Sequence, residues 1–157
     1  MTVGVATCPP ETSVGDLARL FLERKLEAIV VLDVEEGHAL GVISQDELVQ
    51  AFTRPNARSL KAEDIMCDGM PQVPPDIPIV AAAQLMRGKG VRALFLMHHS
   101  GGVVYPAAMI SYQHILRHLA AHNRDELRDL GIYAQRQSPL QSFVVRREAA
   151  RNRNQSN

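Results

Sequence analysis

Two short motifs in this sequence could bind a ligand, and each begins with a serine. Ser44 is followed three positions later by Glu47, and Ser111 is followed three positions later by His114. A hydroxyl three residues before a carboxylate closes a capping box, which stabilises the start of a helix by about 1 kcal/mol. The same helix N-terminus favours phosphate binding, so the two interpretations are compatible. A neutral imidazole has one donor and one acceptor, so His114 is not the bidentate acceptor that a carboxylate provides.

A histidine stripe is the second candidate for chemistry. His114, His118 and His122 recur every four residues and share one helix face. Two imidazoles could bind a divalent metal, but no cysteine or acid lies at ligand spacing among them. We therefore predict no metal site and interpret the stripe as solvated or as facing a dimer partner.

The motifs of several large enzyme classes do not occur in the sequence. It has no Walker-type phosphate loop, no nucleophile elbow, no His-Glu-x-x-His and no paired-cysteine metal motif. The sequence therefore predicts a protein that is not an enzyme and has no catalytic residues.

Composition predicts a soluble, cytoplasmic protein. The chain of 157 residues has 17 basic and 17 acidic side chains, so its charge favours neither nucleic acid nor an anionic membrane as a partner. Cys8 and Cys67 have no metal or redox spacing and are expected to be reduced thiols. Neither a signal peptide nor an apolar run of membrane-spanning length is apparent.

The elements that must position these motifs occur twice. Residues 8–33 superpose on residues 73–98 at a shift of 65, and residues 42–44 superpose on 109–111 at a shift of 67. Each copy has an amphipathic helix, two short apolar runs around a turn, and a second helix. A unit of about 50 residues buries too little surface to be secure alone, so the copies should share a core. The predicted fold class is α/β, with two pseudo-symmetric helix-strand-strand-helix units packed sheet to sheet.

We predict three regions along the chain. Residues 1–60 form the first repeat, residues 61–122 the second, and residues 123–157 a C-terminal helical extension with a disordered end. Within the extension, a helix from Pro139 to about Ala150 carries Phe143, which should dock on the body or on a partner subunit. Its arginines favour a solvated helix end over nucleic-acid binding.

Three features occur in a family-specific order. A Pro-Pro-acid entry precedes the first helix of each repeat, at Cys8–Glu11 and Val73–Asp76. Asp64–Met66 reads Asp-Ile-Met, and Gly41–Leu48 has the form of a strand-to-helix corner. Together they resemble the tandem cystathionine-β-synthase-type (CBS) domain pair, or Bateman module, over about residues 3–122.

The resemblance implies a pseudo-two-fold pair whose clefts bind adenosine-containing ligands such as AMP, ADP, ATP or S-adenosylmethionine. In this family the corner Ser or Thr meets phosphate or ribose, and an acid three residues later accepts the ribose hydroxyls. The matching residues here are Ser44 and Glu47, with Asp46 beside them on the helix flank. Ser111 and His114 are their counterparts in the second repeat. The resemblance also implies flat dimers and regulation of a partner protein.

The sequence departs from the family pattern at both corners. Glu47 stands where the family has an aspartate and is one methylene longer, and His114 and Ala108 replace the acid and the glycine of the second repeat. We therefore expect the second site to be altered or empty. Arg92, which aligns with Glu27, either neutralises a ligand phosphate or forms a surface ion pair. We favour the ion pair.

Two functions follow from these observations. The first is a homodimeric sensor that binds an adenosine-type ligand and acts on an unidentified protein partner. The alternative is a degenerate CBS pair that serves as a structural or protein-interaction module without a ligand. The sequence names neither the ligand nor the partner.

Overall fold

The computed structural model describes residues 2–33, 35–100, 103–123 and 126. The first half of the chain contains β1 (Thr2–Val3), β2 (Thr7–Cys8), α1 (Val14–Arg24), β3 (Ala28–Asp33), β4 (His38–Ser44), α2 (Gln45–Phe52) and a 3-10 turn (Ala57–Ser59). The second half contains α3 (Ala62–Ile65), β5 (Cys67–Asp68), α4 (Ile79–Lys89), β6 (Ala93–Ser100), β7 (Val103–Ser111) and α5 (Tyr112–Ala120). Across the described residues, every helix falls short of the length and hydrophobicity of a membrane-spanning segment.

The predicted fold class is confirmed. Each repeat folds as helix, strand, strand, helix: α1-β3-β4-α2 in the first unit and α4-β6-β7-α5 in the second. Both strand pairs are antiparallel, and both have a register irregularity at the equivalent position, after Val31 in β3 and after Leu96 in β6. The helix predicted at Pro139–Ala150 and the predicted disordered end lie outside the described residues.

The short lead-in strands are exchanged between the units. Strand β5, which leads into the second repeat, pairs with β4, whereas β1, which leads into the first repeat, pairs with β7. Cys67 lies opposite Val42, and Thr2 lies opposite Met109. These two pairs are related by the shifts of 65 and 67 found in the sequence. The pseudo-two-fold symmetry therefore extends to the backbone hydrogen bonds that join the units.

One apolar layer lies between the two sheets. Ala28 and Val30 of β3 cluster with Ala93 and Phe95 of β6 and with Val5. Phe95 and Val30 are completely buried. The two units thus share an interior, which confirms the predicted packing of sheet against sheet.

Each unit has a second apolar layer beneath its own helices. Successive side chains of a strand point to opposite faces, so Ile29 and Val31 of β3 pack with Leu17 of α1 instead of facing the other sheet. In the second unit, Leu94 of β6 packs with Met86 of α4 in the same way. The sheets are consequently buried on both faces, and the corners at the ends of β4 and β7 are held by packed strands.

Gly41 is the position where the exchanged strand approaches most closely. A Cβ at Gly41 would collide with the Cys67 carbonyl oxygen and lie 3.0 Å from Met66 Sδ. We predict that Gly41→Ala lowers the free energy of unfolding by about 1–3 kcal/mol, because the neighbouring atom is backbone and cannot move aside cheaply. Denaturant unfolding followed by circular dichroism measures the change.

The matched control is Gly88→Ala in α4. A Cβ at Gly88 meets no atom within 4 Å, and alanine favours a helix interior over glycine by about 0.5–1 kcal/mol. This variant should be as stable as the wild type or more so. Equal stability of the Gly41→Ala variant and the wild type would contradict the close approach of β5 to β4.

Candidate functional site

Both predicted serines lie where a strand turns into a helix. Ser44 ends β4 and is the N-cap of α2, and Ser111 ends β7 and is the N-cap of α5. Both have extended backbone dihedrals, as N-cap residues usually do. The local sequence therefore places each serine at a helix N-terminus, where four backbone N–H groups lack partners within the helix.

Ser44 and Glu47 form the predicted capping box. The Ser44 backbone N–H donates to Glu47 Oε2 at 2.6 Å, and the Ser44 hydroxyl donates to the same oxygen. The Asp46 backbone N–H donates to Ser44 Oγ at 3.2 Å. The Glu47 carboxylate is consequently fixed in place before any ligand arrives.

Cys67 supplies a further hydrogen bond to Glu47. Its thiol lies 3.2 Å from Glu47 Oε1 and comes from the exchanged strand β5. Burial alone would raise the pKa of Glu47, but the hydrogen bonds from Ser44 and Cys67 outweigh it and lower the pKa below its ordinary value. Burial and the neighbouring Glu47 carboxylate raise the pKa of Cys67 to about 11. At neutral pH the carboxylate is therefore ionised, and the thiol is a protonated donor.

Arg92 approaches this site from the other unit. It lies just before β6, and its Nε is 2.8 Å from Asp46 Oδ2. The two side chains are 49% and 53% exposed, and an ion pair with this exposure contributes at most about 1 kcal/mol. Arg92 thus forms a surface ion pair that also places a guanidinium beside the α2 N-terminus. We call this group the first corner: Ser44, Asp46, Glu47, Cys67 and Arg92.

The second corner has the same backbone and different partners. Ser111 is completely buried, and its backbone N–H donates to His114 Nδ1 at 3.0 Å. The Glu27 carboxylate crosses from the first unit, accepts the Ser111 hydroxyl, and lies 3.3 Å from the Gln113 backbone N–H. We call this group the second corner: Glu27, Ser111, Gln113 and His114.

His114 is neutral in this setting. Burial lowers the pKa of His114 to about 4, and the charge of Arg117 acts in the same direction. Because Nδ1 accepts the Ser111 N–H, the single proton of the neutral ring is on Nε2. His114 therefore performs the capping role that Glu47 performs at the first corner, without a negative charge.

Three residues of the corners are not among the site residues predicted from the sequence. The sequence indicates only a reduced thiol at Cys67, although Cys67 directly follows the Asp64–Met66 motif, which is a usable signal. Gln113 directly precedes the predicted His114, and Glu27 is predicted only to align with Arg92. That alignment was the available signal, because pseudo-symmetry directs both residues to the corner of the opposite unit.

The histidine stripe is not assembled into a metal site. Among the described residues, no group of three or more His, Cys, Asp or Glu side chains is placed to hold a metal ion. His118 and His122 are exposed, whereas His114 is half-buried at the second corner. The stripe therefore divides into one capping residue and two surface residues.

The family comparison agrees with this architecture. The CBS domain model matches residues 1–54 and 62–121, which together are more than half of the chain. The chain belongs to the CBS domain family, and the resemblance drawn from its motifs is confirmed. A search of curated proteins returned no significant match.

Solved CBS structures have the same fold. A CBS-domain containing protein from Agrobacterium tumefaciens is 22% identical, with 71% of this chain and 81% of that chain covered and a TM-score of 0.62. The CBS domain pair of protein MJ0100, solved with 5′-methylthioadenosine and S-adenosyl-L-methionine, is 15% identical, with 76% and 91% covered and a TM-score of 0.65. The CBS domain of a bacterial CNNM/CorC family Mg2+ transporter is 17% identical, with 78% and 73% covered and a TM-score of 0.59.

The neutral state of His114 predicts a specific pH dependence of stability. The pKa of His114 is about 4 in the folded protein and about 6.5 in an unfolded chain. Between these values the unfolded state binds the proton and the folded state does not, so stability falls as the pH drops from 6.5 to 4. After allowance for solvent screening, the loss at pH 5 is on the order of 1 kcal/mol.

A His114→Gln variant should show a shallower decline over this range, because glutamine can accept the Ser111 N–H and does not titrate. Thermal unfolding at pH 7, 6 and 5 measures how steeply the stability changes with pH. His118→Gln, on the exposed face of the same helix, is the matched control and should follow the wild type. Identical slopes for all three proteins would show that His114 is not held neutral.

Proposed function

We propose that this chain is a regulatory sensor of an adenosine-containing small molecule, which it binds at the first corner. Three observations support the proposal. CBS domain pairs are generally regulatory modules, and the MJ0100 pair was solved with two adenosine compounds. The first corner also holds an acceptor that suits ribose hydroxyls, Glu47, and a cation that suits a phosphate, Arg92.

The observation that carries the proposal is the state of the Glu47 carboxylate. It is ionised, half-buried and held by Ser44 and Cys67 at the start of α2. A fixed carboxylate accepts two hydroxyl hydrogens at once, which suits the 2′ and 3′ hydroxyls of ribose. Its orientation is set before binding, so the ligand does not have to order this side chain.

Arg92 is the second contribution to binding. Its ion pair with Asp46 is half-exposed and weak. A ligand phosphate could therefore take over the guanidinium at small cost, and it would gain a charge-assisted hydrogen bond. The N-terminus of α2 lies beside it and adds a favourable field for an anion. AMP, ADP and ATP meet these requirements, and the cationic S-adenosylmethionine uses the Glu47 contact alone.

The alternative function, a degenerate pair without a ligand, is favoured by the capping geometry. Ser44 and Glu47 satisfy one another, as do Ser111 and His114. Both corners are complete as helix caps, so the fold does not depend on a ligand. The two functions make opposite predictions for binding.

The first test is a binding panel of AMP, ADP, ATP, 5′-methylthioadenosine and S-adenosylmethionine. We expect at least one of them, at about 100 times its dissociation constant, to add about 2.7 kcal/mol to the free energy of unfolding. Glu47→Gln should weaken that ligand about tenfold or more, because glutamine keeps the cap but loses the charged acceptor. Isothermal titration calorimetry measures both effects.

Asp76→Asn is the matched control, since it removes an exposed acid of the second repeat far from the capping residues in sequence. Cys67 provides an independent readout: it is exposed, whereas Cys8 is buried. Because the Cys67 thiol is protonated at neutral pH, its alkylation is followed at alkaline pH. A ligand at the first corner should slow this alkylation and leave Cys8 unchanged. Absence of any response from the five compounds would favour the interaction module.

We further propose that the chain forms a homodimer through α2 and α5. Val49 and Phe52 of α2 are 70% and 79% exposed, and Leu116 and Leu119 of α5 are 56% and 75% exposed. The two pairs are equivalent at a shift of 67, so both repeats expose the same apolar face. A second copy, which has the same pseudo-symmetric pair of faces, could cover both at once.

The double substitution Phe52→Ser and Leu119→Ser should therefore convert dimer to monomer without unfolding it. Sedimentation velocity at micromolar concentration reports the change in mass, and circular dichroism reports the fold. Leu22→Ser is the control: Leu22 is 81% exposed but its equivalent in α4 is Arg87, so this surface is not repeated. A wild type that sediments as a monomer would contradict the dimer.

A further inference from the structure

Glu27 occupies a place that a ligand would otherwise need. It lies just before β3 in the first unit, and its carboxylate reaches the N-terminus of α5 in the second unit. We propose that Glu27 determines the number of binding sites: its carboxylate acts as a built-in anion at the second corner, so an anionic adenosine ligand binds at the first corner only. This inference deepens the proposed ligand binding and rests on it.

The hydrogen bonds at the second corner show that Glu27 uses the available donors. His114 Nδ1 accepts the Ser111 backbone N–H and also lies 3.0 Å from Ser111 Oγ. The Ser111 hydroxyl has one proton, and its closer acceptor is Glu27 Oε2. The Gln113 N–H, one of the groups without a partner inside α5, faces Glu27 Oε1. A helix N-terminus is attractive to phosphate because of such donors. Here a carboxylate of the same chain already satisfies them.

Burial makes this arrangement difficult to displace. Ser111 is 0% exposed, and among the described residues it is the only polar or charged residue that is buried. A ligand phosphate would have to remove Glu27 from the hydroxyl and from the helix, and it would meet a like charge while doing so. Glu27, which accepts the hydrogen bonds of Ser111 and Gln113, therefore also excludes anionic ligands from the second corner.

The first corner has the opposite charge at the equivalent position. Arg92 corresponds to Glu27 at a shift of 65, and it meets Asp46, which corresponds to Gln113 at a shift of 67. The pair is half-exposed, and Ser44 is half-buried instead of completely buried. At this position the first corner therefore offers a phosphate a half-exposed guanidinium, whereas the second corner presents a carboxylate, although the backbones are symmetric.

The test counts binding sites with AMP as the probe. Calorimetry should show one AMP per wild-type chain and two per Glu27→Ala chain, the added site being weaker and held through the phosphate, because His114 is not a bidentate acceptor for ribose. Adenosine, which lacks the phosphate, should bind at the added site at least tenfold more weakly than AMP. Glu23→Ala, which removes an exposed glutamate of α1, is the matched control and should keep a single site.

A second pair of variants assigns the sites. Glu47→Gln should abolish or strongly weaken the wild-type site, and the double variant Glu27→Ala with Glu47→Gln should bind one AMP at the second corner. If Glu27→Ala does not fold by circular dichroism, Glu27→Gln retains the hydrogen-bond acceptor and tests the charge alone.

The outcomes separate this inference from the proposed function. Two sites in the wild type would overturn the role of Glu27. One site in the wild type together with one site in a folded Glu27→Ala chain would do the same. Both results leave ligand binding at the first corner intact. No AMP site in the wild type and one in Glu27→Ala supports the role of Glu27 and overturns AMP binding at the first corner. No AMP binding by either protein overturns the role of Glu27, and the five-compound panel then decides the proposed function separately.

Discussion

The structure depends on the apolar layer that the two sheets share. Each sheet is covered by its own helices on one face, and the other face would be left in water if the unit stood alone. Ala28 and Val30 of one unit and Ala93 and Phe95 of the other remove that surface from solvent, which is the dominant favourable term in folding. The exchanged strands β1 and β5 add backbone hydrogen bonds across the same boundary. Neither unit is complete without the other.

That boundary also brings each corner a residue from the opposite unit. The loop before β3 carries Glu27 to the N-terminus of α5, and the loop before β6 carries Arg92 to the N-terminus of α2. The two positions are equivalent in the backbones of the two units, whereas their side chains have opposite charge. A symmetric frame therefore holds two chemically different sites. Duplication supplied the geometry, and substitution at a few positions determined what each corner can accept.

Much of the fold could be predicted from the sequence because the signals are local or periodic. The spacing of apolar residues indicated the helices, and the repeat implied two equivalent units with a common core. The exchange of β1 and β5 was not predicted. Strands of two residues have almost no pattern of their own, and their pairing is decided by which sheet edge they reach. The need for glycine at position 41 follows only from that pairing, because a Cβ there would collide with the Cys67 carbonyl oxygen.

The sequence by itself determined the two capping pairs, because Ser44 with Glu47 and Ser111 with His114 are three residues apart on one helix turn and must meet wherever that helix forms. It also determined the difference between them, a carboxylate at one corner and an imidazole at the other. Only the tertiary structure decided which residues approach from far along the chain. Cys67 contacts Glu47 across 20 positions and Glu27 contacts Ser111 across 84, and contacts of this kind exist only after the sheets have packed.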